Sequence, residues 1–536
     1  MLFQKVLLLL LAMILTFGGC LPMSTRAEEE RGTFTQGMWR GQDPRVSFDV
    51  NTGWYYYVED TAAGMVMFRS KSLIERGGEE DRRVMPRGFP LFAPVYVESM
   101  NGVDYNKWYA FGASVWECAG DPFTDKWSCI GSYGLAGWTL DHYAFKVESG
   151  EHAGEWYYIW AAGEDKSNTT SFSAENLHIA KMISPTELTS TAGNSHDLLL
   201  RCGKASNWTG WDVEAPTVAQ KNGTITVIYS ATDCKTNNYA MGLLVHTGGD
   251  LLDKNNWVDL SKTAPAFSQT VNSDVYGTPY GTGVASVTVS ADGTENWMYF
   301  NAKLYHDIPA DITGNREAWT RIINLKKLEW VTMELNGKTV TVPDLGTPDM
   351  MGSTQVLPSG DPGIAETGYY LFEAEHAVPF GWIYTRELQS QFGDDNEPLN
   401  LMFEARRTAS LYGCMKHFDW FAADPNGDGT SGLHFRNVPA SKSLLIRAGT
   451  NDPNGGFHIL VNGEKKATVT FRQNLKEDGS LASNYIFHDY RVAVDVPAGA
   501  TVTLQHVRGE FDDAAVDFLV FENDAQYPSS DVTQVH

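Results

Sequence analysis

The sequence predicts an all-β protein, a five-bladed β-propeller followed by a β-sandwich of jelly-roll type. Three observations carry that expectation. An aromatic-rich strand pattern returns five times between residues 40 and 330. Long amphipathic helical windows are few. After Pro348 the pattern changes to shorter alternating runs punctuated by turn signals. At 536 residues the chain is also too long for one ordinary core, so more than one domain is expected.

The repeated strands read "WYYYV" from Trp54, "KWYAFGA" from Lys107, "EWYYIWAA" from Glu155, "TITVIYSA" from Thr224 and "NWMYFNA" from Asn296. A spacing of roughly 50 to 70 residues suits one blade per copy, and closing the blades into a ring leaves few exposed sheet edges. A shorter strand precedes each copy: "DPRVSF" from Asp43, "FAPVYV" from Phe92, "DHYAF" from Asp141, "EAPTV" from Glu214 and "VASVTV" from Val284. In a propeller these are the innermost strands, and their starts crowd around the axis. Three of them begin with a carboxylate.

A single acid ahead of a strand is usually a turn residue or a backbone cap. Three at matching positions of blades one, three and four should converge on one cavity, where mutual repulsion raises at least one proton affinity. Such a cavity suits hydrolysis of a glycosidic bond. One carboxylate draws a proton from water, a second carboxyl donates to the leaving oxygen, and a third holds up the donor's pKa. Trp39, Trp138 and Trp211 lie within a few residues of Asp43, Asp141 and Glu214. They are candidates to stack on a sugar face, with packing between blades as the alternative. Arg40, His142 and Arg321 are candidate ligands for sugar hydroxyls. This chemistry calls for no catalytic cofactor.

The formal net charge of -25 argues against a nucleic-acid partner, which needs a basic footprint. It suits a neutral polysaccharide or oligosaccharide, and no stable protein partner is predicted. Residues 1–27 read as a secretory signal, with Lys5 ahead of a short apolar run. Two exits are open: cleavage after "TRA", or lipidation at Cys20 in "FGGC". Either places the protein outside the cytoplasm, secreted, periplasmic or on the cell surface. In an oxidising compartment Cys118 with Cys129, and Cys202 with Cys234, are candidate disulfides.

Residues 34–345 resemble the five-bladed glycoside hydrolases of family 43. "GQDPRV", "WTLDHYAF" and "WDVEAPTV" match that family's motifs in order and spacing. The resemblance implies Asp43 as general base, Asp141 as pKa modulator and orienter, and Glu214 as general acid. The sequence departs from the family at Val95 and at Val284. Val284 stands where family members often carry a His facing the central channel. The implied activity is an exo-acting α-L-arabinofuranosidase on arabinan or arabinoxylan. The alternatives are β-xylosidase, a galactan-active hydrolase, or a glycan-binding propeller without catalysis.

Residues 346–368 read as a linker. Residues 369–523 resemble carbohydrate-binding modules of families 6 and 35, opening with "EAE" and closing with "VDFLVFE". That resemblance implies a structural calcium with Glu373, Glu375 and Asp517 as ligands. Trp382, Tyr384, Trp420 and Phe421 are candidate stacking residues there.

Overall fold

The computed structural model describes residues 31–535 apart from several short stretches and the longer segments 164–173, 190–197, 270–277, 304–320, 381–402 and 419–428. The signal region, Cys20 and the stacking candidates Trp382, Tyr384, Trp420 and Phe421 therefore lie outside the described residues. No α-helix occurs among those that are described.

Five antiparallel sheets form the propeller. Blade one orders Arg45–Asp49, Trp54–Thr61, Gly64–Ser70 and Arg82–Val84 outward from the axis. Blade two runs Val95–Met100, Val103–Phe111, Ser114–Cys118 and Ser128–Ser132. Blade three starts with Thr139–Lys146, Trp156–Gly163 and Glu175–Ser184, and blade four with Val213–Lys221, Thr224–Ala231 and Ala240–His246. Blade five is Tyr280–Val289, Asn296–Lys303 and Arg321–Leu335, completed by Trp39–Arg40 from the beginning of the chain. That strand closes the ring, because a segment ahead of blade one finishes the last blade. The first strands of blades three, four, five and one pack on one another in turn.

The aromatic repeat is the packing between these blades. Tyr56, Tyr109 and Tyr158 from three successive second strands share one buried cluster, and Tyr57 of blade one bonds Tyr299 of blade five through their hydroxyls. The rings bury large apolar areas while the hydroxyls of Tyr57, Tyr109, Tyr158 and Tyr299 find partners, which suits a surface shared by two sheets.

The C-terminal region is a sandwich of two sheets. One contains Ala515–Glu522, Ser441–Gly449 and His488–Val496, and the other Thr430–Val438, Ala500–Val507 and Gly456–Val461. Their inner faces form a continuous core that includes Leu433, Leu444, Ile459, Leu504 and Leu519. Two expectations need correction. The sheet does not stop at residue 523, since Val532–Val535 adds to His488–Val496 in parallel. The linker, by contrast, packs on the propeller. Thr354–Val356 pairs with Thr33–Thr35, and the Asp361 carboxylate takes the Ser72 hydroxyl at 2.7 Å and the Leu73 N–H at 2.7 Å.

The second correction concerns the disulfides. Cys118, Cys129 and Cys234 carry free thiols, so neither expected bridge is formed. In blade two the register sets Cys129 opposite Trp116 rather than Cys118, and Cys118 is buried while Cys129 is exposed.

Candidate active site

One local device repeats at the inner ends of the blades. Asp43, Asp141, Ala215 and Val284 all adopt left-handed backbone angles, with φ of 52°, 49°, 48° and 50°. In each case the residue two positions on is the one that pairs with the second strand: Arg45 with Val58, Tyr143 with Ile159, Thr217 with Ile228, and Ser286 with Tyr299. Blades three, four and five show a register shift there, the signature of a bulge that re-aims side chains. Such angles are costly for residues other than glycine, most of all for β-branched Val284.

The bulge amides are caught by side chains. Asp43 N–H donates to Asn301 Oδ1 at 3.2 Å, Ala215 N–H to Asp141 Oδ2 at 3.0 Å, and Val284 N–H to Ser230 Oγ at 2.8 Å. The equivalent of Asp43 and Asp141 in blade four is thus Ala215, not Glu214. The three carboxylates do meet, but Glu214 stands one residue earlier than strict repetition would place it.

Asp43 is held by two donors on one oxygen, Arg321 Nη1 at 2.6 Å and Asn301 Nδ2 at 3.1 Å. Asp141 faces Arg45 Nη2 at 3.5 Å through Oδ1. Burial raises its pKa; Arg45 works against that rise and the charge of Asp43 adds to it. Glu214 accepts a hydrogen bond from the Tyr239 hydroxyl at 2.7 Å. Its pKa is pushed up to about 8, first by burial and then by the charge of Asp141. The Arg321 guanidinium lies 6.0 Å from the Tyr239 ring centre and so joins the base side of the cavity to the acid side.

A fourth carboxyl lies behind Glu214. Glu175 opens the third strand of blade three, is buried, and lies close enough to Glu214 for the two carboxyls to act on each other. Burial, then the Glu214 charge, raises its pKa as well. Nothing in "SAENLHIA" marks this residue, because its blade-three strand meets the blade-four acid only once the sheets are packed. Tyr239 and Asn301 were likewise not legible as site residues.

The remaining sequence candidates divide. Arg321 belongs to the site. Trp211 is 54% exposed, beside the acid, and its carbonyl accepts the Glu175 N–H at 2.8 Å. Trp138 is half-buried next to the Asp141 strand. His142 turns to Thr139 Oγ1 at 3.3 Å and stacks on Tyr158, and burial lowers its pKa to about 4.

Trp39 must be withdrawn as a stacking residue. It is 2% exposed, donates to Glu59 Oε1 at 2.9 Å and packs edge-on against Tyr57 within the closing strand. The side chain of Arg40 lies outside the described residues.

The calcium ligands implied for the sandwich do not fit a cation where they can be described. Asp517 is fully buried and paired with the Arg447 guanidinium at 2.9 Å, so its charge is already compensated. No group of three metal-ligating side chains occurs among the described residues. The Glu373 side chain and Glu375 lie outside them.

No family model matches the chain. Among curated proteins it is 28% identical over 283 residues to the extracellular exo-alpha-(1->5)-L-arabinofuranosidase of Streptomyces avermitilis, covering 49% of this chain and 52% of that one. It is 28% identical over 256 residues to alpha-L-arabinofuranosidase 43 of Humicola insolens, covering 47% of each. The chain thus spans about half the length of these curated relatives. Of solved structures, the alpha-L-arabinofuranosidase of Lactobacillus brevis gives a TM-score of 0.44 at 22% identity, over 61% of this chain and 99% of that one. That score is too low to carry the fold argument, which rests on the sheets described above.

Proposed function

We propose that the protein is an inverting glycoside hydrolase that removes terminal α-L-arabinofuranose from arabinan or arabinoxylan. The observation that carries the reading is the convergence of Asp43, held by Arg321 and Asn301, with Glu214, whose surroundings favour its protonated form. Two carboxyls in contrasting environments are the arrangement that general acid–base hydrolysis needs. The arabinofuranosidase names of the relatives support the choice of sugar.

In this mechanism Asp43 accepts a proton from a water whose oxygen bonds to the anomeric carbon. The bond from that carbon to the leaving oxygen breaks, and Glu214 delivers its proton there. Asp141 keeps Glu214 protonated at working pH through its charge and orients it through the Ala215 amide. Trp211 is the exposed indole for an adjoining sugar. Secretion through residues 1–27 fits an extracellular polymer. The sandwich supplies a second surface that keeps the catalytic unit near its substrate by raising effective concentration.

The test is release of free pentose from arabinan, arabinoxylan and the aryl α-L-arabinofuranoside and β-D-xyloside. Wild type should release arabinose, seen first as the inverted β-anomer by NMR. Asp43→Asn and Glu214→Gln should each lower kcat by about 10²–10⁴-fold. Xylose release would change the sugar and keep the mechanism. No release from a folded protein would favour the glycan-binding alternative.

A further inference from the structure

Arg45 is a buried cation that the reaction as described does not use. It begins the innermost strand of blade one, two residues after Asp43, and is 2% exposed. Its guanidinium reaches two other blades. Nη1 donates to the carbonyl of Ala285 in blade five at 3.2 Å, and Nη2 faces Asp141 Oδ1 in blade three at 3.5 Å. Nε is buried with no partner. Burying a guanidinium with one donor unsatisfied is expensive, and an apolar side chain of similar volume is often as stabilising. Arg45 therefore calls for a role besides stability.

The connectivity beyond Asp141 indicates that role. Asp141 Oδ2 accepts the Ala215 N–H at 3.0 Å, and Ala215 is the left-handed residue whose bulge sets the direction of Glu214. One carboxylate oxygen is thus committed to Arg45 and the other to the bulge. We infer that Arg45 is a positioning residue, a fixed internal cation that clamps Asp141 and, through the Ala215 amide, holds Glu214 on line for proton transfer.

The charges around Asp141 allow a sign to be assigned. Arg45 and Arg321 are the cations that act on it, with Asp43, Glu214 and Glu175 as acids, and Tyr239 and His142 as neutral neighbours. Arg321 is already committed to Asp43. Without Arg45 the buried Asp141 takes up a proton at higher pH, and Glu214 then loses the neighbouring charge that favours its own proton. The alkaline limb of the rate profile should therefore move to lower pH.

The kinetic arm rests on the hydrolase reading and uses the full chain: wild type, Arg45→Met and Arg45→Lys. Arg45→Met should lower kcat by about 10²-fold, as misplacement of a reacting group does. Its KM should stay within about threefold, and its alkaline limb should fall by about one pH unit. Arg45→Lys keeps the charge without the fork, so the limb should stay while kcat falls less. Equal losses in both variants with the limb unmoved would reduce Arg45 to packing and overturn the inference. So would a folded Arg45→Met with wild-type kinetics. If Arg45→Met does not fold, Arg45→Gln takes its place, neutral but able to bond Ala285.

Wild type inactive on every glycan would sink the hydrolase reading and leave Arg45 to a second measurement that needs no substrate. Carbon-13 carboxyl titration of Asp141, assigned with Asp141→Asn, should show a higher pKa in the neutral variant. An unchanged value there overturns the inference on its own.

Discussion

At the scale of single residues, the acid is positioned by an absence. A Cβ on Gly283 would lie 1.9 Å from the Tyr239 ring, well inside contact distance, so only glycine lets that ring reach Glu214. Gly283→Ala should displace Tyr239 and lower kcat by about tenfold or more; a kinetic comparison with Tyr239→Phe checks it. The Tyr239 hydroxyl favours the ionised form of Glu214 and so opposes the rise in its pKa. In Tyr239→Phe that opposition is gone, Glu214 keeps its proton to higher pH, and the alkaline limb should move up. A limb that stays put or falls would remove Tyr239 from the titration of the acid. This shift is opposite in sign to that expected for Arg45→Met, so the two experiments cannot be mistaken for each other.

At the scale of elements, the short closing strand Trp39–Arg40 matters more than its length suggests. Its Trp39 indole bonds Glu59 Oε1, and Arg76 Nη1 pairs with Glu59 Oε2 at 3.1 Å, all three side chains being buried. Besides its backbone pairing with Arg321–Leu335, the closing strand is therefore tied to one carboxylate of blade one. Glu59→Gln removes the carboxylate that pairs with the buried Arg76, which should appear as a lower propeller melting temperature. In the sandwich, Arg447→Met removes the guanidinium paired with the fully buried Asp517 and should lower the sandwich melting temperature. If Arg447→Met instead melts like wild type, Asp517 has another source of compensation and the calcium question reopens.

At the scale of the whole molecule, three blades put Glu175, Glu214, Asp141 and Asp43 around one cavity, and the fold bears that charge. Glu175 and Glu214 have folded pKa values above the ordinary carboxyl value. The folded state consequently binds more protons than the unfolded chain between those limits. Stability is full below the ordinary value and lost as pH rises through the raised ones. Glu175→Gln removes one of these liabilities, which Asp141 shares. It should melt above wild type at pH 8, by about 2–4 °C for each kcal/mol recovered, and coincide with wild type near pH 4. A variant no more stable at pH 8 would mean that the buried pair is not titrating.

The sequence by itself determined the architecture and most of the cavity's acids, because both are written in local, repeating signals. Aromatic strands recur at blade spacing since every blade must pack on two neighbours, and Asp43, Asp141 and Glu214 stand at strand starts that a propeller gathers at its axis. Tertiary structure alone decided the rest. Trp39 sits near Asp43 in the chain yet belongs to blade five, so its indole was spent on closure. Glu175 opens a blade-three strand without any motif and meets Glu214 only across packed sheets, while Tyr239 stands just before Ala240–His246 and reaches Glu214 within blade four. The one-residue offset of Glu214 is a bulge, and an alternating pattern carries no mark of the residue that steps out of register. Arg45 reads as one more basic residue beside "DP", and only the ring shows it lying between blade three and blade five. Sequence spacing reports which residues share a strand. Which side chains from different strands share a cavity is set by how the sheets pack, and the site's chemistry depends on those contacts.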